Sequence, residues 1–288
     1  MGECSAMTPK VSVIIPFYSR ADWLDEAIES VINQTHKVDE IIVVDDGSPE
    51  NVDFVFRKYQ NRVFLIKQNN GGAAKARNVG ISHSTGDVIF FLDSDDIWCA
   101  DKVEKQLTFM TSNNFRWSAT YYSTFGADEI KVVKQKTYLG LCWKKLYDTC
   151  SIQTSTVAVF RDALRGMNFD EGMKNGQDVY LWFKLANHYP LGVVKEPLSR
   201  FRIRGNNAHL SLETHIRVRA LLWNHMVEGN LFQTNRPLTK LGYKMCHRLF
   251  EKNNKSGKQN GSKISVFTKM AFALSWLLFR FDELIQRK

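Results

Sequence analysis

The order of strand and helix patterns in the first hundred residues most strongly limits the folds open to this chain. Short apolar runs typical of buried strands alternate with segments whose apolar residues recur at helical spacing. The predicted strands span 11–17, 41–44, 63–66 and 88–92. The predicted helices span 22–34, 73–82 and 101–110, with one more after Ser48, the expected cap before Pro49. This β-α-β-α-β-α-β order predicts a parallel sheet with helices on both faces.

The pattern changes after about residue 115, where strand patterns no longer alternate regularly with helices. Predicted strands lie at 120–125, 130–136, 155–160, 191–194 and 198–203, with a helix at 178–186. From residue 212 onward the pattern is mostly helical. We therefore predict an α/β domain over residues 1–210, with halves at about 10–115 and 116–210. A mainly helical C-terminal extension is predicted over residues 211–288.

The positive charge of the chain is concentrated in this extension. The whole chain has a formal net charge of +9, and residues 214–288 contain 14 Lys and Arg against 4 Asp and Glu. Such a basic segment can bind an anionic membrane face or nucleic acid. Its most apolar run, residues 270–279, is shorter than the roughly 18–20 residues needed to cross a bilayer. Residues 264–285 are therefore predicted either to lie in a membrane interface or to pack on protein.

The cysteine pattern predicts a reducing compartment. The five cysteines are widely scattered and form no CxxC pair, so neither a disulfide framework nor a zinc site is indicated. The first ten residues contain no apolar segment of the kind found in signal peptides. We expect a cytoplasmic location.

Two of the predicted strands end abruptly in carboxylates. Asp45 and Asp46 follow the second strand, and the run Asp93-Ser94-Asp95-Asp96 follows the fourth. Open α/β sheets bind ligands beyond the carboxyl ends of their strands. Because crowded carboxylates repel one another, they are costly unless a cation or a donor-rich ligand satisfies them. The sequence therefore predicts a binding site at this edge of the sheet.

The residue types suggest different chemistry at the two strand ends. Asp93 and Asp95 are one residue apart and can direct oxygens at one Mg²⁺ or Mn²⁺ ion. The alternative is an acidic turn that caps the following helix. Asp46 can accept hydrogen bonds from a nucleoside, or it can simply hold backbone amides in a turn.

Two further segments carry candidate residues. Asn70-Gly71-Gly72 opens a predicted helix whose free amides, with Lys75 or Arg77, can meet a diphosphate. The alternative is a flexible turn followed by a solvated basic helix face. Asp178 precedes an apolar helix, and by itself it predicts only an N-cap.

Taken together, these segments resemble the family 2 glycosyltransferases, inverting enzymes of the GT-A fold that use nucleotide-sugar donors. GT-A is a Rossmann-like, mostly parallel sheet with flanking helices. The resemblance covers about residues 10–205 and is specific because six weak motifs occur in the expected order. The motifs are VSVIIPFYSR, AIESVINQT, IIVVDDGS, NNGGAAKARNVGI, GDVIFFLDSDD and NGQDVYLWFKL.

The resemblance implies a role for each candidate residue. It implies that Asp95, with Asp93, binds Mn²⁺ or Mg²⁺ and that Asp178 is the general base. It also implies that Pro16, Tyr18 and Asp46 hold the nucleoside. With them, Lys75, Arg77, Asp93 and Ser94 are predicted to bind the nucleotide-sugar. The chain departs from the family pattern at three positions: Ser19, where Asn is usual, Gln177, where Glu is frequent, and Arg204, where His is common.

The implied reaction is transfer of a sugar from a nucleoside-diphosphate sugar to a hydroxyl group. By family habit the nucleotide is UDP, and the acceptor is a glycan or a lipid-linked oligosaccharide. The implied setting is assembly of bacterial capsule or lipopolysaccharide, on the cytoplasmic face of the inner membrane, with the extension as a peripheral membrane contact.

Two other classes of protein compete with this interpretation. A sugar-nucleotide nucleotidyltransferase would carry a Gly- and Arg-rich loop after the first strand, where this chain has PFYSR. A non-catalytic nucleic-acid-binding protein would interleave basic and aromatic residues on one face, a pattern not found outside the extension. We therefore expect no nucleic-acid partner.

Overall fold

The computed structural model describes residues 8–126, 130–135, 150, 152–173 and 175–204. The chain divides into two compact units, Met1–Gly205 and Asn206–Lys288. All described residues belong to the first unit. The boundary predicted near residue 210, the helical extension and the membrane contact at 264–285 all lie outside the described residues. They therefore stay predictions.

The described residues form one sheet of nine strands with five α-helices. The strands are β1 Val11–Phe17, β2 Glu40–Asp45, β3 Phe64–Lys67, β4 Val88–Phe91, β5 Ile97–Trp98, β6 Trp117–Phe125, β7 Val132–Val133, β8 Val157–Phe160 and β9 Gly192–Arg202. The helices are α1 Ala21–Ile32, α2 Asp53–Tyr59, α3 Gly72–His83, α4 Lys102–Ser112 and α5 Gln177–His188. Short 3-10 turns span Gln60–Arg62, Thr154–Thr156 and Arg161–Leu164.

The strand order is β3-β2-β1-β4-β8-β6-β9-β5, with β7 paired to β6. The pairs β1–β2, β1–β4 and β2–β3 are parallel, as the alternating pattern predicts. Beyond β4 the sheet becomes mixed, because β8 pairs antiparallel with both β4 and β6 while β6 and β9 are parallel. The α/β fold class is therefore confirmed, with the run of successive parallel strands confined to the first four in sheet order.

Alternating residues of the central strands face two different layers. Val13 and Ile15 of β1 pack with the apolar stripe of α1 and with α4 on one face. On the other face Gly80 of α3 approaches so closely that a Cβ there would lie 2.4 Å from Ile14. Phe91 of β4 faces this second layer as well, where it meets Trp182 of α5. Strands buried on both faces explain why β1, β2 and β4 are almost wholly apolar.

Several predicted elements need correction. Ser48 and Pro49 do not begin a helix: α2 starts at Asp53, and the Ser48 hydroxyl instead accepts a hydrogen bond from the Glu50 amide (3.0 Å). The predicted strands at 191–194 and 198–203 form the single strand β9, which is irregular where it pairs with Thr120–Tyr122. The start predicted for β8 at Ser155 falls in a 3-10 turn. The two-residue strand β5 was not predicted.

No helix within the described residues combines the length and the apolar character needed to cross a membrane.

Candidate functional site

A cavity of about 330 Å³ lies beyond the carboxyl ends of β1, β2 and β4. This is the sheet edge at which the acidic strand ends predict a site. The residues around it are Pro16, Phe17, Tyr18, Ser19, Trp23, Asp46, Ala73, Ala76, Arg77, Asp93, Ser94, Asp95 and Arg204. Residues from separate segments of the chain therefore meet at one cavity.

Asp46 is clamped to the start of α3. Its Oδ1 accepts hydrogen bonds from the Gln68 side chain (2.7 Å) and the Gly71 amide (2.8 Å), and its Oδ2 accepts one from the Gly72 amide (2.7 Å). Asp46 thus holds backbone amides, as the alternative predicts, but these amides belong to a distant segment and not to its own turn. The residue also borders the cavity. The Gly71 and Gly72 amides already donate hydrogen bonds to Asp46, so the expectation that the amides at this helix start are free for a phosphate is wrong for these two.

Arg77 presents unsatisfied donors beside the cavity. Its Nη2 donates to Asp93 Oδ1 (2.6 Å), and its guanidinium lies over the Phe169 ring, 5.2 Å from the centroid. The side chain is buried, and its Nε and Nη1 have no hydrogen-bond partner in the described part of the chain. Because an unpartnered buried donor costs free energy, an anionic ligand in the cavity would stabilise Arg77 by accepting hydrogen bonds from these two nitrogens.

Asp95 is buried, and its Oδ2 accepts no aligned hydrogen bond within the described ranges. Arg204 Nη2 lies 2.6 Å from this oxygen as an ion pair. Burial, and then the negative charge of Asp93, raise the pKa of Asp95. A buried carboxylate oxygen without an aligned donor, next to a second carboxylate, is the kind of group that a hard cation satisfies.

Ser155 joins the acidic run to the second half of the sheet, and sequence reasoning gave it no role. Its hydroxyl donates to Asp96 Oδ2 (2.5 Å) and accepts from the Asp93 amide (3.1 Å). Asp96 Oδ1 also accepts from the Arg202 amide (3.1 Å). Burial, followed by the charges of Asp95 and Asp93, raises the pKa of Asp96 well above its usual value. The only sequence signal for Ser155 was a polar run before an apolar strand.

Asp178 lies at the start of α5, next to the turn Thr154–Thr156. Its Oδ1 accepts from the Val179 amide (2.8 Å), and its Oδ2 is 3.4 Å from the Thr154 hydroxyl. Thr154 adjoins Ser155 in this turn. A chain of neighbouring residues therefore connects the predicted base to the acidic run.

A buried lysine supports the same turn from below. Lys102 has no exposed surface, and its Nζ donates to Gln106 Oε1 and to the Thr156 carbonyl (3.3 Å). Burial lowers the pKa of Lys102 well below its usual value.

The structure brings most of the predicted site residues together. The cavity is bordered by Pro16, Tyr18, Asp46, Arg77, Asp93, Ser94 and Asp95. Lys75 and Asp178 are not among the residues that border it. Sequence reasoning also missed Trp23, which borders the cavity and whose ring lies beside three arginines: Arg20, Arg202 and Arg204.

The carboxylates fit a cation that takes most of its ligands from elsewhere. In the described ranges, no group of three or more His, Cys, Asp or Glu side chains is arranged to hold a metal ion. Asp93 and Asp95 therefore supply two carboxylates at most, and a bound diphosphate and water would have to complete the shell. Mg²⁺ is commonly bound in this manner.

Comparison with known protein families identifies similar chains. Residues 12–165 match the model of glycosyl transferase family 2. A glycosyltransferase of Rickettsia bellii is 40% identical over 206 residues, which are 69% of this chain and 29% of that protein. The chain thus spans less than a third of that relative. The Escherichia coli UDP-Glc:alpha-D-GlcNAc-diphosphoundecaprenol beta-1,3-glucosyltransferase WfgD is 34% identical, over 61% of this chain and 69% of WfgD.

Comparison of structures identifies a similar fold. The crystal structure of Staphylococcus aureus TarS 1-349 in complex with UDP-GlcNAc has a TM-score of 0.64 and 20% sequence identity. The similarity covers 92% of this chain and 79% of the TarS chain. At this level of identity the likeness concerns the fold alone.

Proposed function

Because the chain belongs to glycosyl transferase family 2, we propose that its cavity binds the nucleoside diphosphate of a sugar donor. The enzyme then transfers the sugar to a hydroxyl group with inversion at the anomeric carbon. The observation that carries this proposal is the meeting of Tyr18, Asp46, Arg77 and Asp95 around one cavity at the sheet edge. Family membership disfavours a nucleotidyltransferase and a non-catalytic nucleic-acid binder.

In the proposed nucleotide site, different residues contact the base and the phosphates. Tyr18 is half exposed at the cavity, so its ring is available to contact a base. Arg77 supplies buried guanidinium donors for phosphate oxygens, and such hydrogen bonds are among the stronger ones in proteins. UDP is the proposed nucleotide, supported by the nucleotide named for WfgD and the UDP-GlcNAc named for TarS.

Asp95 and Asp93 are the residues proposed to hold Mn²⁺ or Mg²⁺. When bound, such a cation supplies positive charge that stabilises a departing diphosphate. Asp95 contributes the buried oxygen without an aligned donor. Asp93 is held by Arg77, which donates to its Oδ1, and by the hydrogen bond that its backbone amide donates to the Ser155 hydroxyl.

Asp178 is the proposed general base. Its carboxylate would accept the proton of the acceptor hydroxyl as the oxygen attacks the sugar, and such proton transfer contributes about 100- to 10,000-fold to rate. The contact to Thr154 at 3.4 Å leaves Oδ2 with capacity for a stronger partner.

The proposed setting is bacterial surface-polysaccharide synthesis on a lipid-linked acceptor. WfgD is named for a diphosphoundecaprenol acceptor, and Bacillus subtilis TuaG for teichuronic acid biosynthesis. The apolar segment 264–285 of the basic C-terminal extension is proposed to lie peripherally on anionic membrane surfaces. Flotation with phosphatidylglycerol vesicles tests this, and failure of the full chain to float would contradict it.

Nucleotide binding tests the proposed function directly. Melting temperature is measured with UDP, GDP, CDP and dTDP, each with and without Mn²⁺, on wild type, Asp95→Ala and Asp101→Ala. Because a ligand that binds only the native state raises the melting temperature, we expect a Mn²⁺-dependent rise with UDP. Asp95→Ala should abolish the rise, whereas Asp101→Ala, which removes an exposed carboxylate beside α4, should keep it. No rise with any nucleotide in wild type would contradict the proposal.

A further inference from the structure

Arg204 lies where a divalent cation would have to approach Asp95. The two charged atoms are 2.6 Å apart, and the pair combines a buried carboxylate (11% exposed) with a half-exposed guanidinium (49%). The Asp95 oxygen accepts no aligned hydrogen bond in the described part of the chain, so its contact with Arg204 is an ion pair. A cation and a guanidinium repel each other, and they cannot share this oxygen at low cost.

Two carboxylates of the acidic run, Asp93 and Asp95, each pair with one arginine, so the charges of these four side chains cancel without a ligand. Arg77 faces Asp93 and Arg204 faces Asp95, in each case at 2.6 Å. A divalent cation added alone would leave this group with excess positive charge. A nucleoside diphosphate that arrives with the cation restores the balance and offers oxygen atoms to a displaced arginine.

Of these two arginines, Arg204 has room to move. The Arg77 side chain is only 6% exposed and lies under the cavity, against the Phe169 ring. Arg204 is at the exposed edge, with its guanidinium 5.8 Å from the centroid of the Trp23 ring. Trp23 and Arg204 border the same cavity, so a cation–π contact can keep the guanidinium there after it leaves Asp95.

We propose that Arg204 competes with the divalent cation for Asp95 and, once displaced, binds the diphosphate of the nucleotide. This inference rests on the proposed function and deepens it, because it names a further donor-binding residue. A guanidinium presents a planar pair of donors that matches phosphate oxygens. As a consequence, the cation alone binds weakly, whereas cation and nucleotide bind well together.

Opposite effects of one substitution test this inference. Arg204→Gln removes the charge, Arg204→Lys keeps it without the planar fork, and Arg200→Gln removes a charge from the same segment of chain outside the cavity. Free Mn²⁺ is measured by electron paramagnetic resonance with protein alone, and UDP affinity by calorimetry at saturating Mn²⁺. We expect Arg204→Gln to bind Mn²⁺ alone roughly two- to fivefold more tightly and UDP with Mn²⁺ several-fold more weakly. Arg204→Lys should weaken UDP binding less, and Arg200→Gln should match wild type.

The outcomes separate this inference from the proposed function. Mn²⁺ affinity of Arg204→Gln at or below the wild-type value would overturn the competition, and unchanged UDP affinity would overturn the diphosphate contact. If wild type binds UDP and Mn²⁺, either of these results for Arg204→Gln leaves the proposed function unaffected. If wild type binds no UDP, the proposed function and the diphosphate contact both fail.

Discussion

Asp46 and Asp178, one from each half of the described chain, are held in different ways. Asp46 accepts three hydrogen bonds of 2.7–2.8 Å, two of them from backbone amides. Asp178 accepts one hydrogen bond from the backbone amide of Val179, and its other oxygen lies 3.4 Å from the Thr154 hydroxyl. Two backbone donors at the start of α3, the Gly71 and Gly72 amides, leave Asp46 little freedom. The part of the proposed nucleotide site around Asp46 is therefore formed before any ligand binds. We expect Asp178, the proposed base, to reach its working geometry only with the acceptor, because catalytic hydrogen bonds often tighten only then.

The largest expected effect is on Asp178. Asp178→Asn keeps the shape of the side chain but removes the proposed base, so we expect turnover to fall about 100- to 10,000-fold. UDP affinity with Mn²⁺ should stay close to that of wild type, because Asp178 does not border the donor cavity. Single-turnover kinetics and calorimetry measure the two quantities. Glu196→Gln, which changes an exposed carboxylate paired with Lys105, serves as the control. Loss of UDP binding in Asp178→Asn would contradict this prediction, because it would show that nucleotide binding also depends on Asp178.

A smaller effect is expected at Asp46, and it should appear in stability as well as binding. Asp46→Asn replaces one carboxylate oxygen by an amide NH2 group that cannot accept a hydrogen bond. At least one of the three donors is then unpaired, at a cost of about 1–3 kcal/mol. Both the free energy of unfolding, from urea titration, and the UDP affinity should fall.

Asp53→Asn is the matched control, because its carboxylate pairs with Lys67 at the exposed surface and should change stability by less than about 0.5 kcal/mol. Equal stability of the two variants would contradict the view that the amide clamp makes the donor side rigid.

The smallest expected effect concerns Lys102, below the turn that joins the two sides. Its pKa is lowered in the folded protein from an ordinary value of 10.5, so between the folded value and 10.5 the unfolded chain binds more protons. Stability therefore rises with pH through this window, by about 1.4 kcal/mol per pH unit at most for a single group.

We expect wild type to gain at most about 1.4 kcal/mol of stability relative to Lys102→Met as pH rises from about 9 to about 10. Urea unfolding of both proteins across this range measures the difference, in which other titrating groups cancel. A difference independent of pH would mean that the burial of Lys102 does not shift its protonation.

The first half of the fold was predictable because its site residues lie next in sequence to the strand patterns that indicate a site. Asp46 and Asp93 closely follow buried strands, and the observed ends of β1 and β2 differ from the predicted ones by at most one residue. The failure at Ser48 has a local reason. A serine hydroxyl can close a turn as readily as it caps a helix, and tertiary contacts decide between the two.

The second half was less predictable because its contacts join distant residues. Ser155 meets Asp96 across 59 positions, and Arg202 reaches Asp95 across 107. Neither a periodic pattern nor a local motif encodes such pairs. The strand β5 has two residues and exists only because β9 pairs with it, so no propensity could indicate it.

The burial of Lys102 also makes this residue a reporter of local opening. An amine-reactive reagent needs solvent access, so it can modify Lys102 only in molecules whose α4 has separated from the sheet. Other lysines, such as Lys37 and Lys195, are exposed and would react earlier. The slow labelling of this one amine, followed by mass spectrometry, would therefore count how often the layer beneath the turn Thr154–Thr156 comes apart in the native protein.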